Sequence, residues 1–116
     1  MAEQSMLFLP SNYLEQVKAI LAQHIPEAAV WAYGSRVNGD HYDASDLDLV
    51  AHFPDNAARD LFRLSAVREA FSDSNLPIIV QIVDWSRIPQ AFRNEIEACY
   101  VIVQLPNKLG GLGSDL

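Results

Sequence analysis

Residues 31–52 read WAYGSRVNGDHYDASDLDLVAH, and the fold turns on this stretch. The apolar run Val30 to Tyr33 has strand character and stops at Gly34-Ser35, where the chain must turn sharply. A short polar excursion follows, then a second strand that opens with two carboxylates, Asp46 and Asp48, one residue apart. Side chains i and i+2 of a strand share a face, so the two acids project together while Leu47 and Leu49 point into a core. Paired carboxylates repel each other unless a cation lies between them. Hard divalent ions such as magnesium are held by carboxylate oxygens in sites shared with substrate phosphates.

Gly34 at the turn lets the backbone come close to a ligand, and N–H groups that open a helix after it would make an anion site. Ser35 adds a hydroxyl, and Arg36 a planar cation suited to phosphate oxygens. Such a site would hold phosphates and metal together. A calcium loop of the EF-hand kind does not fit, because Asp40, Asp43, Asp46 and Asp48 lack its alternating acids and central glycine.

Before this stretch, residues 1–10 carry no strong pattern and are expected to form a lead-in. Asn12 with Glu15 suits a capping box, and Leu14, Val17, Leu21 and Ile25 mark one face of a helix that ends near His24, because Pro26 disfavours helical geometry before it. After it, Pro54-Asp55-Asn56 predicts a turn with Asp55 as cap. Ala58, Leu61, Leu64 and Phe71 then recur at helical spacing, with Arg59, Arg63, Arg68 and Glu69 on the solvated face. Ile78 to Val83 predicts a buried central strand. The last helix begins at Ser86 or at Pro89 and turns Phe92 and Ile96 toward the core; Tyr100 to Gln104 predicts a short strand. Residues 105–116 form a glycine-rich tail outside a single domain spanning 11–104. The element order predicts an α/β (α+β) domain with a small mixed sheet backed by helices on one side.

Composition narrows the function. With 116 residues, half of them hydrophobic, the chain suits one globular core. No apolar run reaches the roughly 18 residues of a membrane span, so no membrane partner is expected and a cytoplasmic protein is the default. Eight basic against 15 acidic residues leave a net charge of −7. That charge opposes non-specific binding to nucleic acid and favours a basic protein partner. The sole cysteine, Cys99, is read as a small buried hydrophobe.

Gly34-Ser35-Arg36, Gly39 and Ser45-Asp46-Leu47-Asp48-Leu49 together resemble the GSRxxG and SDxDL signature of the minimal nucleotidyltransferase (MNT) domains of the DNA polymerase beta-like superfamily. The similarity runs from about Ser11 to about Gln104. It implies a nucleotidyltransferase-like fold and AMP transfer from magnesium-ATP to a hydroxyl by a two-metal mechanism. Asp46 and Asp48 would be catalytic and metal-binding, and Gly34, Ser35 and Arg36 would hold the nucleotide. It also implies a nearby-encoded HEPN-type protein as partner, in an antitoxin and toxin pair.

The family pattern brings a third carboxylate from a later strand, in a segment like VDxVDW; here the segment is Val80-Gln81-Ile82-Val83-Asp84-Trp85. Gln81 stands where that acid is expected and brings neither charge nor a general base. Asp84, three residues on, falls on the opposite strand face; it either caps the next segment or swings back through a bulge. Two functions follow: an adenylyltransferase that modifies its HEPN partner, or a catalytically weakened antitoxin that acts by protein binding. Modification of a small molecule is disfavoured, since one small domain leaves little wall to hold it.

Overall fold

A computed structural model describes residues 6–39, 45–54 and 60–106. Asp40, Asp43, the expected cap Asp55, Ala58, Arg59 and the tail from residue 107 lie outside the described residues, and nothing is described of the Leu61 side chain. The elements are α1 (Ser11–His24), β1 (Ala29–Tyr33), α2 (Ser35–Asn38), β2 (Leu47–His52), α3 (Asp60–Ser72), β3 (Val80–Asp84), α4 (Gln90–Ala98) and β4 (Val101–Gln104), with a 3-10 turn at Trp85–Arg87. The strands lie in the order β3-β2-β1-β4. β1 is antiparallel to both β2 and β4, while β2 and β3 are parallel, which makes the sheet mixed as expected.

Alternation along the strands sorts the two faces. Val30 and Ala32 of β1 and Leu47, Leu49 and Ala51 of β2 are buried against Val17 and Leu21 of α1, Ile25 just after it, and Leu64, Val67 and Phe71 of α3. The 3.6-residue spacing read for both helices is therefore the spacing of their core faces. The opposite face carries Trp31, Tyr33, Asp48 and Gln81. α4 covers part of it, so the helices lie on both faces and not on one side as expected: Phe92, expected to face the core, meets the Tyr33 ring edge-on at 5.6 Å. Trp31 stacks on Tyr100 at 4.0 Å and contacts His52 and Trp85.

The ends of the elements depart from expectation in three places. α1 begins at Ser11 with Pro10 as its cap and no side-chain cap hydrogen bond, so Asn12 is not the cap. The Pro10 carbonyl accepts from the N–H groups of Tyr13 and Leu14, and its ring presets the entry angle. β3 spans Val80–Asp84 and not Ile78 to Val83, and it is an edge strand with only Ile82 and Asp84 buried, not the buried central strand expected, because among the described strands only β2 pairs with it. The last helix begins at Gln90, with Pro89 as its cap and not its first residue, while Ser86 lies in the separate 3-10 turn.

Two arginines assigned to a solvated face are structural clamps. Arg63 forms an ion pair with Glu27 and donates to the His24 carbonyl at 3.1 Å, tying α3 to the end of α1. Arg68 donates to the Ile82 carbonyl at 2.8 Å and ties α3 to β3. Both cations satisfy carbonyls that spacing along one helix does not reveal. Cys99, the sole cysteine, is partly buried and packs against the core. Among the described residues no helix is long and apolar enough to cross a membrane.

Candidate functional site

β1 ends at Tyr33, and Gly34 then adopts φ +84°, ψ −153°, a conformation open essentially to glycine alone. A Cβ there would lie 2.7 Å from Oδ2 of Asp48, so the glycine brings the turn's backbone against the second acid. Ser35 opens α2 directly after it, and the one-turn helix closes at Gly39 in the left-handed conformation.

Arg36 lies inside the protein, 3% exposed. Its Nε donates to the Ser45 carbonyl at 3.1 Å and its Nη1 to the Phe8 carbonyl at 2.8 Å, while its own carbonyl accepts from the Phe8 N–H at 2.7 Å. The guanidinium expected to meet phosphate instead joins the lead-in to the residue just before the acid pair. Sequence patterning did not reveal this tie, since Phe8 is 28 residues away.

Asp46 precedes β2 and Asp48 lies within it, opposite Tyr33 on β1 and Gln81 on β3. Burial, and secondarily the charge of Asp46, push the Asp48 carboxyl above its ordinary proton affinity. Burial, and then Asp48, push the Tyr33 phenol up to about 12. The acid pair is thus partly desolvated and mutually repulsive, the electrostatic condition that a bound cation relieves. Tyr33 was read only as part of a strand; antiparallel pairing of β1 with β2 is what sets it beside Asp48.

Gln81 is exposed, and its Nε2 donates to Oδ2 of Asp46 at 2.9 Å. Parallel pairing of β2 and β3 thereby brings the residue at the third position to the acid pair. Asp84 goes elsewhere. It is 5% exposed at the end of β3, and its Oδ1 accepts from the Ser86 N–H and hydroxyl, each at 2.9 Å, capping the 3-10 turn. Regular alternation keeps it on the opposite face from Gln81, some 10 Å along the strand by the usual rise of about 3.3 Å per residue. No group of three or more His, Cys, Asp or Glu side chains that could hold a metal ion occurs among the described residues.

Asp46, Asp48, Gly34, Ser35 and Gln81 therefore lie together where β1 ends and β2 and β3 begin, while Arg36 supports the group from within and Asp84 is separate. Such a cluster can hold one hard cation with a phosphate ester.

Comparisons with known proteins agree with this geometry. A family model described as polymerase beta, nucleotidyltransferase matches residues 15–105. The probable protein adenylyltransferase MntA of Haemophilus influenzae is 40% identical over 111 residues, covering 93% of each chain. A solved structure of a mutant MntA-HpeT toxin–antitoxin superposes with a TM-score of 0.65 at 14% identity, covering 82% of this chain and 75% of that one. An MNT antitoxin structure, in complex with the tri-AMPylated HEPN toxin of Shewanella oneidensis, gives 0.55 at 12% identity, covering 86% and 76%. At these identities the solved structures speak for the fold.

Proposed function

Because this chain belongs to the polymerase beta nucleotidyltransferase family, we propose that it is an MNT-type antitoxin that transfers AMP from magnesium-ATP to a hydroxyl of a HEPN-type toxin encoded nearby, in the cytoplasm. The observation that carries this reading is the placement of Asp48, two residues after Asp46, against Gly34 where β1 ends and β2 begins. The relative named as an adenylyltransferase supports the reaction, and the AMPylated toxin bound to an MNT antitoxin supports the partner.

In this reaction the acceptor oxygen forms a bond to the α-phosphorus, the bond from that phosphorus to pyrophosphate breaks, and the hydroxyl proton leaves. The donor chemistry fits magnesium: two carboxylates side by side, one with raised proton affinity, are hard oxygen ligands that a cation would relieve. When bound, the ion neutralises phosphate charge and polarises the reacting phosphoryl group. Gly34 leaves the space that a Cβ would fill, Ser35 offers a hydroxyl at the turn, and Arg36 holds the Phe8 and Ser45 carbonyls so that the acids stay in place.

Gln81 favours a second reading. Its amide orients Asp46 but adds no negative charge and accepts no proton from an attacking hydroxyl. With two carboxylates the cluster suits one ion better than two, and an antitoxin that neutralises its partner mainly by binding keeps the same pocket. Mixing the chain with magnesium, labelled ATP and the neighbouring HEPN-type chain separates the readings. Label on the partner supports the transferase, whereas a stable complex without label supports the binder. Neither label nor complex overturns both.

A further inference from the structure

Phe8, in the lead-in, and Arg36 exchange two hydrogen bonds: the Phe8 N–H donates to the Arg36 carbonyl at 2.7 Å, and Arg36 Nη1 donates to the Phe8 carbonyl at 2.8 Å. The Leu9 N–H donates to the Leu7 carbonyl at 3.1 Å, which closes a tight turn centred on Phe8. Leu7 and Leu9, on either side of that turn, are partly buried against the core, and the Phe8 ring lies by Gly39, where α2 closes. Arg36 follows Ser35 in α2, is buried, and holds with its Nε the carbonyl of Ser45, the residue before Asp46. One guanidinium therefore joins three segments: the lead-in, the helix that opens after Gly34, and the entry to the acid pair.

Resting on the reading of the chain as a nucleotidyltransferase that binds magnesium-ATP, we propose that residues 7–9 are a positioning element of the nucleotide site, coupled to it through Arg36, so that docking of this segment and binding of magnesium-ATP strengthen each other. A guanidinium is a rigid plane, so Nε and Nη1 cannot move independently. A buried one is tolerated only while its donors are met. When Phe8 leaves, Nη1 loses its carbonyl and the cation lowers its free energy by turning toward water, which pulls Nε from Ser45. The Ser45 carbonyl belongs to the peptide that leads into Asp46, so the loss reaches the acid whose spacing from Asp48 a cation needs. The reverse follows from linkage: a ligand that fixes the acids and the turn at Gly34 makes undocking of the lead-in costlier by the same factor. Phe8 acts through Arg36 and needs no contact with the nucleotide.

Amide hydrogen exchange on the wild-type chain, with and without saturating magnesium-ATP, reads the coupling directly. The Phe8 amide is expected to gain about fivefold or more protection over the amide of Ala28, which donates to the Ile25 carbonyl just before β1 begins, at the opposite end of that strand from Gly34. Equal gains at the two amides would mean that nucleotide only stabilises the fold, and no gain at Phe8 would mean that the lead-in is uncoupled; either overturns the inference while the nucleotide reading stands. Two variants add an independent arm. Phe8→Pro removes the N–H that the Arg36 carbonyl accepts, leaves Arg36 in place, and suits the negative φ at the centre of this turn. Phe8→Ala removes the ring and keeps the N–H. Magnesium-ATP affinity is expected to fall about tenfold in Phe8→Pro and to stay within about threefold of wild type in Phe8→Ala. Wild-type affinity in Phe8→Pro, or an equal loss in both variants, overturns the clamp; should Phe8→Pro fail to fold, the exchange measurement decides alone. A wild-type chain that binds no magnesium-ATP overturns the nucleotide reading itself, and this inference with it.

Discussion

Gln81 donates from Nε2 to Oδ2 of Asp46 at 2.9 Å, so an amide is tied to the acid pair at the position where the family pattern has a third carboxylate. Strand pairing brings position 81 to the acid pair, because Asp48 and Gln81 are register partners across β2 and β3, and the amide supplies the donor. An aspartate introduced there would lose that hydrogen bond and place a third carboxylate on the same face.

Gln81→Asp is expected to speed AMP transfer to the partner by about 10²- to 10⁴-fold, the usual range for gaining a general base. Single-turnover label transfer with magnesium-ATP reads this directly. Wild-type transfer as fast as the variant's would remove the catalytic argument about this position. Asp84 serves as a control: it caps the turn after β3, so Asp84→Ala should cost about 1 kcal/mol of stability while nucleotide binding stays intact.

Asp48→Asn should separate stability from binding. Burial and Asp46 raise the folded-state pKa of Asp48 above its ordinary value, so its ionised form opposes folding at neutral pH, and that penalty fades as pH falls through the raised pKa. Replacing it with an uncharged isostere is expected to raise the melting temperature of the ligand-free protein and abolish the further rise produced by magnesium-ATP. A thermal shift with nucleotide equal to that of the wild type would exclude Asp48 from the cation site. Asp46→Asn should lose the nucleotide-dependent rise in the same assay.

Gly34→Ala places a Cβ in a backbone region that non-glycine residues avoid and within 2.7 Å of the Asp48 carboxylate. A loss of about 1–3 kcal/mol in denaturant unfolding is expected. Magnesium-ATP binding should fall as well, because relief of the clash moves Asp48 away from Asp46. Unchanged stability and binding would mean that the turn relaxes without using the glycine's freedom.

His52 supplies a pH dependence of opposite sign to that of Asp48. Burial lowers its pKa from 6.5, Asp84 opposes that shift and Arg93 adds to it. The folded state therefore favours neutral imidazole. The contribution is complete above about pH 6.5 and is lost as pH falls through that value toward the lowered folded pKa. Nε2 of His52 is buried without a hydrogen-bond partner, so protonation there adds a charge that the cluster does not solvate. Urea melts between pH 7.5 and 5.5 should show declining stability in the wild type and a flatter profile in His52→Gln.

The sequence by itself determined the parts of this protein that obey a local rule. Period-two alternation placed Asp46 and Asp48 together, Pro26 ended α1 at His24, the 3.6-residue spacing identified the buried faces of α1 and α3, and the paired motif around Gly34 named the family. Each depends on neighbours within one or two turns of chain, where backbone sterics and side-chain periodicity suffice. Tertiary structure alone decided where the long polar side chains went and which strands met. Arg36 is buried because the carbonyls of Phe8 and Ser45 arrive from distant segments, and Arg63 and Arg68 are clamps because His24, Glu27 and Ile82 do the same. Gln81 reaches Asp46 across 35 residues only because β2 and β3 run parallel in one register. Long side chains can satisfy their hydrogen bonds in many directions, and only the assembled fold leaves one of those directions both buried and lined with acceptors.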